Sequence, residues 1–338
     1  MTAAALLATV AAAAGAGDPQ GGLQPVERAE LVMGTMARIA LPPEQASAQA
    51  FEAAFAALRE VDATMSLYRE DSELVRVNAR AGLHPEPVDD ALFGLLTRAR
   101  ELGIESDGAF DVTILPLLRL WGAYPELAYL GAGSVTAVGI GGLRLDPATR
   151  AVAFARPGMG LDLGGIAKGF ALDRARAALA ALGVDRARLD LGGDLAFVGT
   201  GPDGAWRAAV RDPAAPDRAL GVLTVDAGAS LSTSGNYNRD FAHEGWRARS
   251  HIYDPRSGRP LTRDLAVTVW APNATTADAL STALVVLGPK RSARLLEREP
   301  TAGALFVERR PGGDTRRITM AGRPPLGWAP TLDPGDPR

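Results

Sequence analysis

The sequence predicts an α+β fold in which mixed or antiparallel sheets carry packed helices. Segments with three- and four-residue apolar spacing are interleaved irregularly with short alternating segments, without the regular strand–helix cadence of a doubly wound sheet. Several of the alternating segments come in pairs around glycine-bearing turns, the mark of hairpins. The composition is that of a soluble globular chain: 338 residues, 47% hydrophobic, 22% charged, net charge −3. No internal repeat or heptad is present.

Taken in order, residues 1–22 form an Ala-rich, signal-like or flexible leader, with a candidate cleavage zone before Asp18. A domain is expected over 23–321, and 322–338 reads as a Pro-rich loose tail. Residues 27–41 read as a strand interrupted at Met33-Gly34-Thr35. Phe51, Phe55, Leu58 and Val61 recur at helical steps over 46–65. Ser72 is placed to cap a short helix, and Asp89 or Asp90 to start another that stops before Gly103. Residues 123–157 hold short strands with Leu143, Leu145, Val152 and Phe154 inward. Leu161 to Leu163 reads as a strand end, Gly164-Gly165 as a sharp turn, and the following Ala-rich segment as a helix ending at Gly183. Gly192-Gly193-Asp194 reads as a bulge within a strand over 188–198. Strands are expected at 206–210 and 221–225 around a Pro-rich loop, and at 265–270. A helix capped by Thr275 or Thr276 runs to Gly288, and a hairpin turns at Gly312-Gly313.

Composition excludes several chemistries. There is no Cys, so disulfides, thiolate zinc sites, thiol nucleophiles and a lipobox anchor are out. Only His84, His243 and His251 are present, so a metal must rely on oxygen ligands, which favours magnesium or calcium. No basic cluster points to nucleic acid, and no later run approaches the ~20 apolar residues of a membrane span. Walker A, G-x-G-x-x-G and G-x-S-x-G patterns are absent.

Three places carry candidate chemistry. Lys168 stands in the first turn of a helix after Gly164-Gly165, where backbone N–H groups favour anions; a solvated lysine at a tight connection is the plain alternative. Asp278 and Thr282 are four apart on an apolar helix, so their oxygens share a face with Ser281 nearby. They suit either a hard cation or simple exposure and back-bonding to the helix. His251 precedes a turn at Asp254-Pro255, as a structural residue or as an acid or base near neutral pH, and Tyr253 offers an aromatic face. The hydroxyl-rich Thr233-Ser234-Gly235 is a further candidate for phosphate.

The motifs MGT, DSELVRVNA, SDGAFDVT followed by LWG, DLGGIAKGFALD, LGGD, STSGNY, HIYDPRSGRP and ADALSTALVVLG occur in that order. In this the chain resembles the ApbE family, the FAD:protein FMN transferases, from Met33 to about Gly288. The resemblance implies a T-fold-like single domain. It implies an Mg²⁺-dependent enzyme acting outside the cytoplasmic membrane, which transfers the FMN half of FAD to a threonine of a partner flavoprotein and releases AMP. It further implies a metal site at Asp278, Thr282 and the carbonyl of Gly165. Flavin-nucleotide contacts are implied at Met33, Ala109, Phe110, Asp111, Asp162, Lys168 and Tyr253, and a role for His251 in activating the acceptor hydroxyl. An FAD pyrophosphatase giving FMN and AMP, or a non-catalytic FAD-binding protein, would use the same nucleotide site.

Overall fold

The computed structural model describes residues 24–123, 133–213, 215–236, 250, 252–309 and 316–331. The leader at 1–22, the Gly312-Gly313 turn and His251 lie outside the described residues.

The chain enters as β1 (Val26–Val32) and returns as β2 (Thr35–Leu41), paired antiparallel in register. The interruption predicted within 27–41 is therefore a hairpin turn between two strands. Met33 and Gly34 have φ of 53° and 71°, the paired positive values of a type I′ turn. Ser47 caps α1 (Ala48–Met65), and Ser72 caps α2 (Glu73–Arg80) as predicted. A short β3 (Glu86–Pro87) follows, and Asp89 caps α3 (Asp90–Glu105). This helix does not stop at Gly103. A side chain there would meet Ile140 at 2.7 Å, so the glycine serves packing, and the chain turns at Asp107 and Gly108 instead. Next come α4 (Leu115–Leu120), β4 (Leu143–Asp146) and β5 (Ala151–Phe154), the last pairing with both β3 and β4.

Leu161 to Leu163 is not part of a strand. Its backbone groups are claimed elsewhere: Asn78 brackets Leu161, accepting from its N–H at 2.6 Å and donating to its carbonyl at 3.0 Å, while Asp162 N–H donates to Val112 O at 2.8 Å. The chain then enters α5 (Ala167–Ala181). β6 (Ala187–Leu191) and β7 (Asp194–Val198) form a second tight hairpin, with Gly192 and Gly193 at φ 62° and 95° where a bulge was predicted. β8 (Trp206–Asp212) pairs with β9 (Ala215–Val225), so the predicted Pro-rich loop is mostly strand. Then follow β10 (Ser230–Gly235), the small pair β11 (Tyr253–Asp254) and β12 (Arg259–Pro260), and β13 (Leu265–Ala271). Asn273, not Thr275 or Thr276, caps α6 (Ala274–Leu287) by accepting from Thr276 N–H. The chain ends through α7 (Pro289–Arg298), β14 (Gly303–Arg309), β15 (Arg316–Gly322) and β16 (Gly327–Pro330). β16 pairs with β9, so part of the segment expected to be a loose tail is strand.

Among the described residues the main sheet has the order β1-β2-β6-β7-β10-β13-β14-β15, every neighbour antiparallel. Strand alternation sends side chains to two faces. Leu195, Phe197, Leu231, Ala266, Trp270 and Leu305 pack on β8 and β9, where Phe197 and Trp206 stack at 4.7 Å. Ala196, Val267, Val269, Ala304 and Phe306 face the other way, into the core shared with α1, α5 and α6. The outcome is the α+β class predicted, with helices on one face of the sheet and a smaller sheet on the other.

The crossing of α5 and α6 positions the site. A Cβ at Gly169 would lie 2.1 Å from Ala274 O and 2.8 Å from Asp278 Cβ, so the two helices touch backbone to backbone. Each then caps the other. Gly169 N–H donates to Asp278 Oδ2 at 2.9 Å; Ala274 and Thr275 N–H donate to the two oxygens of Asp173 at 2.9 and 2.8 Å. Gly169→Ala should therefore destabilise by overpacking, at about 1–3 kcal/mol or more. Gly94, exposed in α3 with no atom within 4 Å of its missing Cβ, makes the control. Gly94→Ala should stabilise by about 0.4–1 kcal/mol. Parallel urea melts check both, and equal effects would contradict the crossing.

Candidate active site

The floor of the site is sheet. Asp194 on β7 and Ser232 and Ser234 on β10 share the helix-facing parity, opposite Leu195 and Leu231, which face the smaller sheet. Two helices lie above. α5 supplies Lys168 from its first turn, and α6 supplies Asp278, Ser281 and Thr282 from one face.

Lys168 joins them. Its Nζ lies 2.7 Å from Asp194 Oδ2 and 3.6 Å from Asp278 Oδ1. Both carboxylates are buried, while the Lys168 side chain keeps 30% of its surface exposed. Burial disfavours the ammonium, but Asp194 and Asp278 outweigh it and raise the lysine pKa. Lys168 is thus a fixed cation, unsuited to act as a base. Burial pushes the pKa of Asp278 up to about 6, with Lys168 opposing and the charge of Asp194 adding to the rise. Asp194 Oδ1 also accepts from Ser232 Oγ at 2.6 Å.

Thr282 sits against Gly165. A Cβ at residue 165 would lie 3.0 Å from Thr282 Oγ1 and 3.4 Å from Phe110 Cε2, so the glycine admits both neighbours. This brings together Gly165, Lys168, Asp278 and Thr282, the predicted metal and phosphate residues, with Phe110. Asp111 is half of a buried turn: its Oδ1 accepts from Thr113 N and Oγ1 at 2.8 and 2.6 Å, and burial raises its pKa against those bonds. Asp162 accepts from Gly164 N–H at 2.8 Å, shaping the glycine turn, and its own N–H ties it to the Asp111 segment through Val112. Ala109 is buried beside Phe110. Met33 occupies the first hairpin turn, which abuts the second: Gly192 N–H donates to Met36 O at 3.1 Å. Tyr253 belongs to a different cluster, with Leu117 and Leu118, and its ring lies 6.3 Å from that of Trp121. The residues flanking His251 are joined by Ser250 Oγ, which donates to Ile252 O and accepts from Ile252 N–H.

Two residues of the cluster are not singled out by the sequence: Asp194, placed there within a bulge, and Ser232. The usable signal was a carboxylate opening an otherwise apolar strand, on the parity opposite Leu195 and Phe197. The Thr233-Ser234-Gly235 segment is strand β10 and meets α6 through the Ser234 hydroxyl, while Thr233 bonds Thr268 across the sheet at 2.9 Å.

A carboxylate, a hydroxyl and a glycine carbonyl form an all-oxygen set suited to a hard cation that takes its remaining ligands from phosphate and water. Among the described residues no three His, Asp or Glu side chains converge on a metal position. The fold and site thus define a class: an α+β scaffold holding a lysine-bearing, oxygen-rich cluster at the crossing of two helices. The model of the ApbE family matches residues 33–306, and the chain belongs to that family. The FAD:protein FMN transferase of Treponema pallidum is 34% identical, over 83% of this chain and 83% of its own length. The enzyme of that name from Escherichia coli K12 is 32% identical, over 86% and 85%. The crystal structure of the ApbE protein of Thermotoga maritima superposes with a TM-score of 0.76 at 30% identity, covering 88% of this chain and 97% of that one. The flavin transferase ApbE of Vibrio cholerae gives 0.74 at 28%, covering 88% and 97%.

A pH dependence follows from Asp278. Its folded pKa of about 6 exceeds the ordinary aspartate value of about 3.9, so the folded state binds this proton more tightly than the unfolded. That contribution to stability is fully present below about 3.9 and is lost as pH rises through about 6. Wild type should therefore lose stability relative to Asp278→Asn between pH 4 and 6.5. Paired urea melts across that range check it, and a constant gap would contradict the assignment.

Proposed function

We propose that this chain transfers the FMN moiety of FAD to a threonine hydroxyl of a partner flavoprotein. The acceptor oxygen forms a new bond to the FMN-side phosphorus, the bond from that phosphorus to the bridging oxygen breaks, and AMP leaves with that oxygen. The hydroxyl proton passes to a base. The observation that carries this reading is the cluster of Lys168, Asp194 and Asp278 beside Thr282 and Gly165, because phosphoryl transfer depends on positioning and charge neutralisation more than on covalent work.

In this reading Asp278, Thr282 and the Gly165 carbonyl hold Mg²⁺. The cation would supply charge stabilisation at the phosphoryl oxygens. Lys168 contributes a second positive charge, held in place by Asp194. Met33, Ala109, Phe110, Asp111, Asp162 and Tyr253 bind the flavin nucleotide, and His251 takes the acceptor proton. The Ala-rich leader supports action outside the cytoplasmic membrane. No helix among the described residues is long and apolar enough to cross a membrane.

The test is incubation with FAD and Mg²⁺, with and without a flavoprotein acceptor bearing the target threonine. Covalent flavin on the acceptor with matching AMP is expected, and replacing that threonine by valine should abolish both. AMP without labelling would make the chain an FAD hydrolase, and unchanged FAD a binding protein. His251→Asn should cut transfer by about 10²–10⁴-fold while leaving FAD affinity near wild type. Wild-type transfer in that variant would overturn the role of His251. For the metal, Asp278→Asn is the cleaner variant, since alanine would also leave Gly169 N–H without its partner and Lys168 with Asp194 alone. It should raise the Mg²⁺ concentration needed for half-maximal AMP release, and an unchanged requirement would remove Asp278 from the metal site.

A further inference from the structure

A run of hydroxyls, buried at Ser232 and Ser281 and half-buried at Ser234 and Thr282, links Asp194 to Thr282, and its proton order follows from the donors and acceptors present. Asp194 as a carboxylate only accepts, so the 2.6 Å contact fixes the Ser232 proton on Asp194 Oδ1. A carbonyl also only accepts, so the 2.8 Å contact between Ser281 Oγ and Asp278 O uses the single proton of Ser281. Ser232 Oγ, 3.2 Å from Ser281 Oγ, has no other proton to offer and faces the same hydrogen. The 2.7 Å contact between Ser234 and Ser281 must then be filled by the Ser234 proton. With that proton spent, the 3.4 Å contact between Ser234 and Thr282 has one remaining donor, Thr282. The Thr282 proton is drawn toward Ser234, and the lone pairs of Thr282 Oγ1, which lies close against Gly165, are left to accept a cation.

We infer that Ser234 and Ser281 are positioning residues that orient the Thr282 hydroxyl as a lone-pair donor to the cation. This rests on the metal reading above and extends it to two residues behind the proposed ligand Thr282. A hydroxyl binds a cation through oxygen, and with its proton turned toward the cation it repels it. Burial makes the order persistent: Ser281 and Ser232 are 0% and 2% exposed, so water does not compete for their protons. The peptide carbonyl of Asp278 and the carboxylate of Asp194 are the two fixed acceptors that set the direction. Groups that orient a ligand from behind typically change metal affinity 10–100-fold when removed.

The experiment is direct binding of Mn²⁺, as a paramagnetic stand-in for Mg²⁺, in the presence of FAD and without acceptor protein, with free Mn²⁺ counted by electron paramagnetic resonance. Ser234 is half-buried on a strand, so Ser234→Ala should fold, and its thermal melt is recorded alongside. Ser234→Ala should weaken Mn²⁺ binding about tenfold. Ser234→Thr, which restores a hydroxyl in a strand-favouring residue, should return to within about twofold of wild type. In a Thr282→Ala background, Ser234→Ala should add almost nothing, because its effect passes through Thr282. An unchanged affinity in Ser234→Ala, or full additivity of the two losses, would overturn the inference while leaving the cation site standing. Failure of the wild-type protein to bind Mn²⁺ would instead overturn the metal reading, and this inference with it.

Discussion

The reciprocal capping of α5 and α6 is the interaction on which the site depends. An α-helix begins with N–H groups that lack internal partners. Here the first turn of α5 is served by Asp278 from α6, and the first turn of α6 by Asp173 from α5. Each aspartate stands four residues beyond the position on its own helix that the other one caps, Asp173 after Gly169 and Asp278 after Ala274, so the arrangement is nearly symmetric about the crossing. It works only because residue 169 has no side chain. Once the helices are locked this way, Lys168 is one residue from the contact and is delivered to the carboxylates of β7 and α6.

That economy has a cost in separability. Asp278 caps a helix and pairs with Lys168, and in the proposed reading it would offer oxygen to a cation as well. Its burial and the charge of Asp194 hold its pKa above the usual carboxylate range, against the pull of Lys168. Asp173 does the same capping without a lysine or a second carboxylate, beside an arginine at 3.1 Å, and at a half-exposed position. One end of the symmetric pair is structural, and in the proposed reading the other serves the chemistry too.

Much of this was legible in the sequence. The helix starts at Ser72 and Asp89 were readable because capping is local, and the i, i+4 pair Asp278 and Thr282 because helical periodicity is local too. The misreadings share a cause. Whether a glycine-bearing break in a strand is a bulge or a hairpin turn depends on which strand lies opposite, as Gly192-Gly193 shows. Whether Leu161 to Leu163 is strand depends on Asn78, some eighty residues earlier. The role of Asp194 depends on sheet order, since β10 and α6 become its neighbours only when the chain has folded. The family motifs compensated because they name residues regardless of distance along the chain, though they did not show why Lys168 and Asp278 meet.

The charges of the cluster explain why cation and nucleotide belong together. One lysine between two carboxylates leaves an excess of negative charge near neutral pH, since Asp278 is largely ionised above its pKa of about 6. A diphosphate approaching that surface alone would be repelled by it. In the proposed reading a divalent cation at Asp278 and Thr282 would reverse the sign and take its remaining ligands from phosphate oxygens. Each ligand would then raise the affinity of the other, and linkage requires the coupling to be equal in both directions. The same arithmetic shows why Asp194 matters although it is committed to Lys168 and Ser232. Without its charge Lys168 would face Asp278 alone, the cluster would be neutral, and the cation would have less reason to bind.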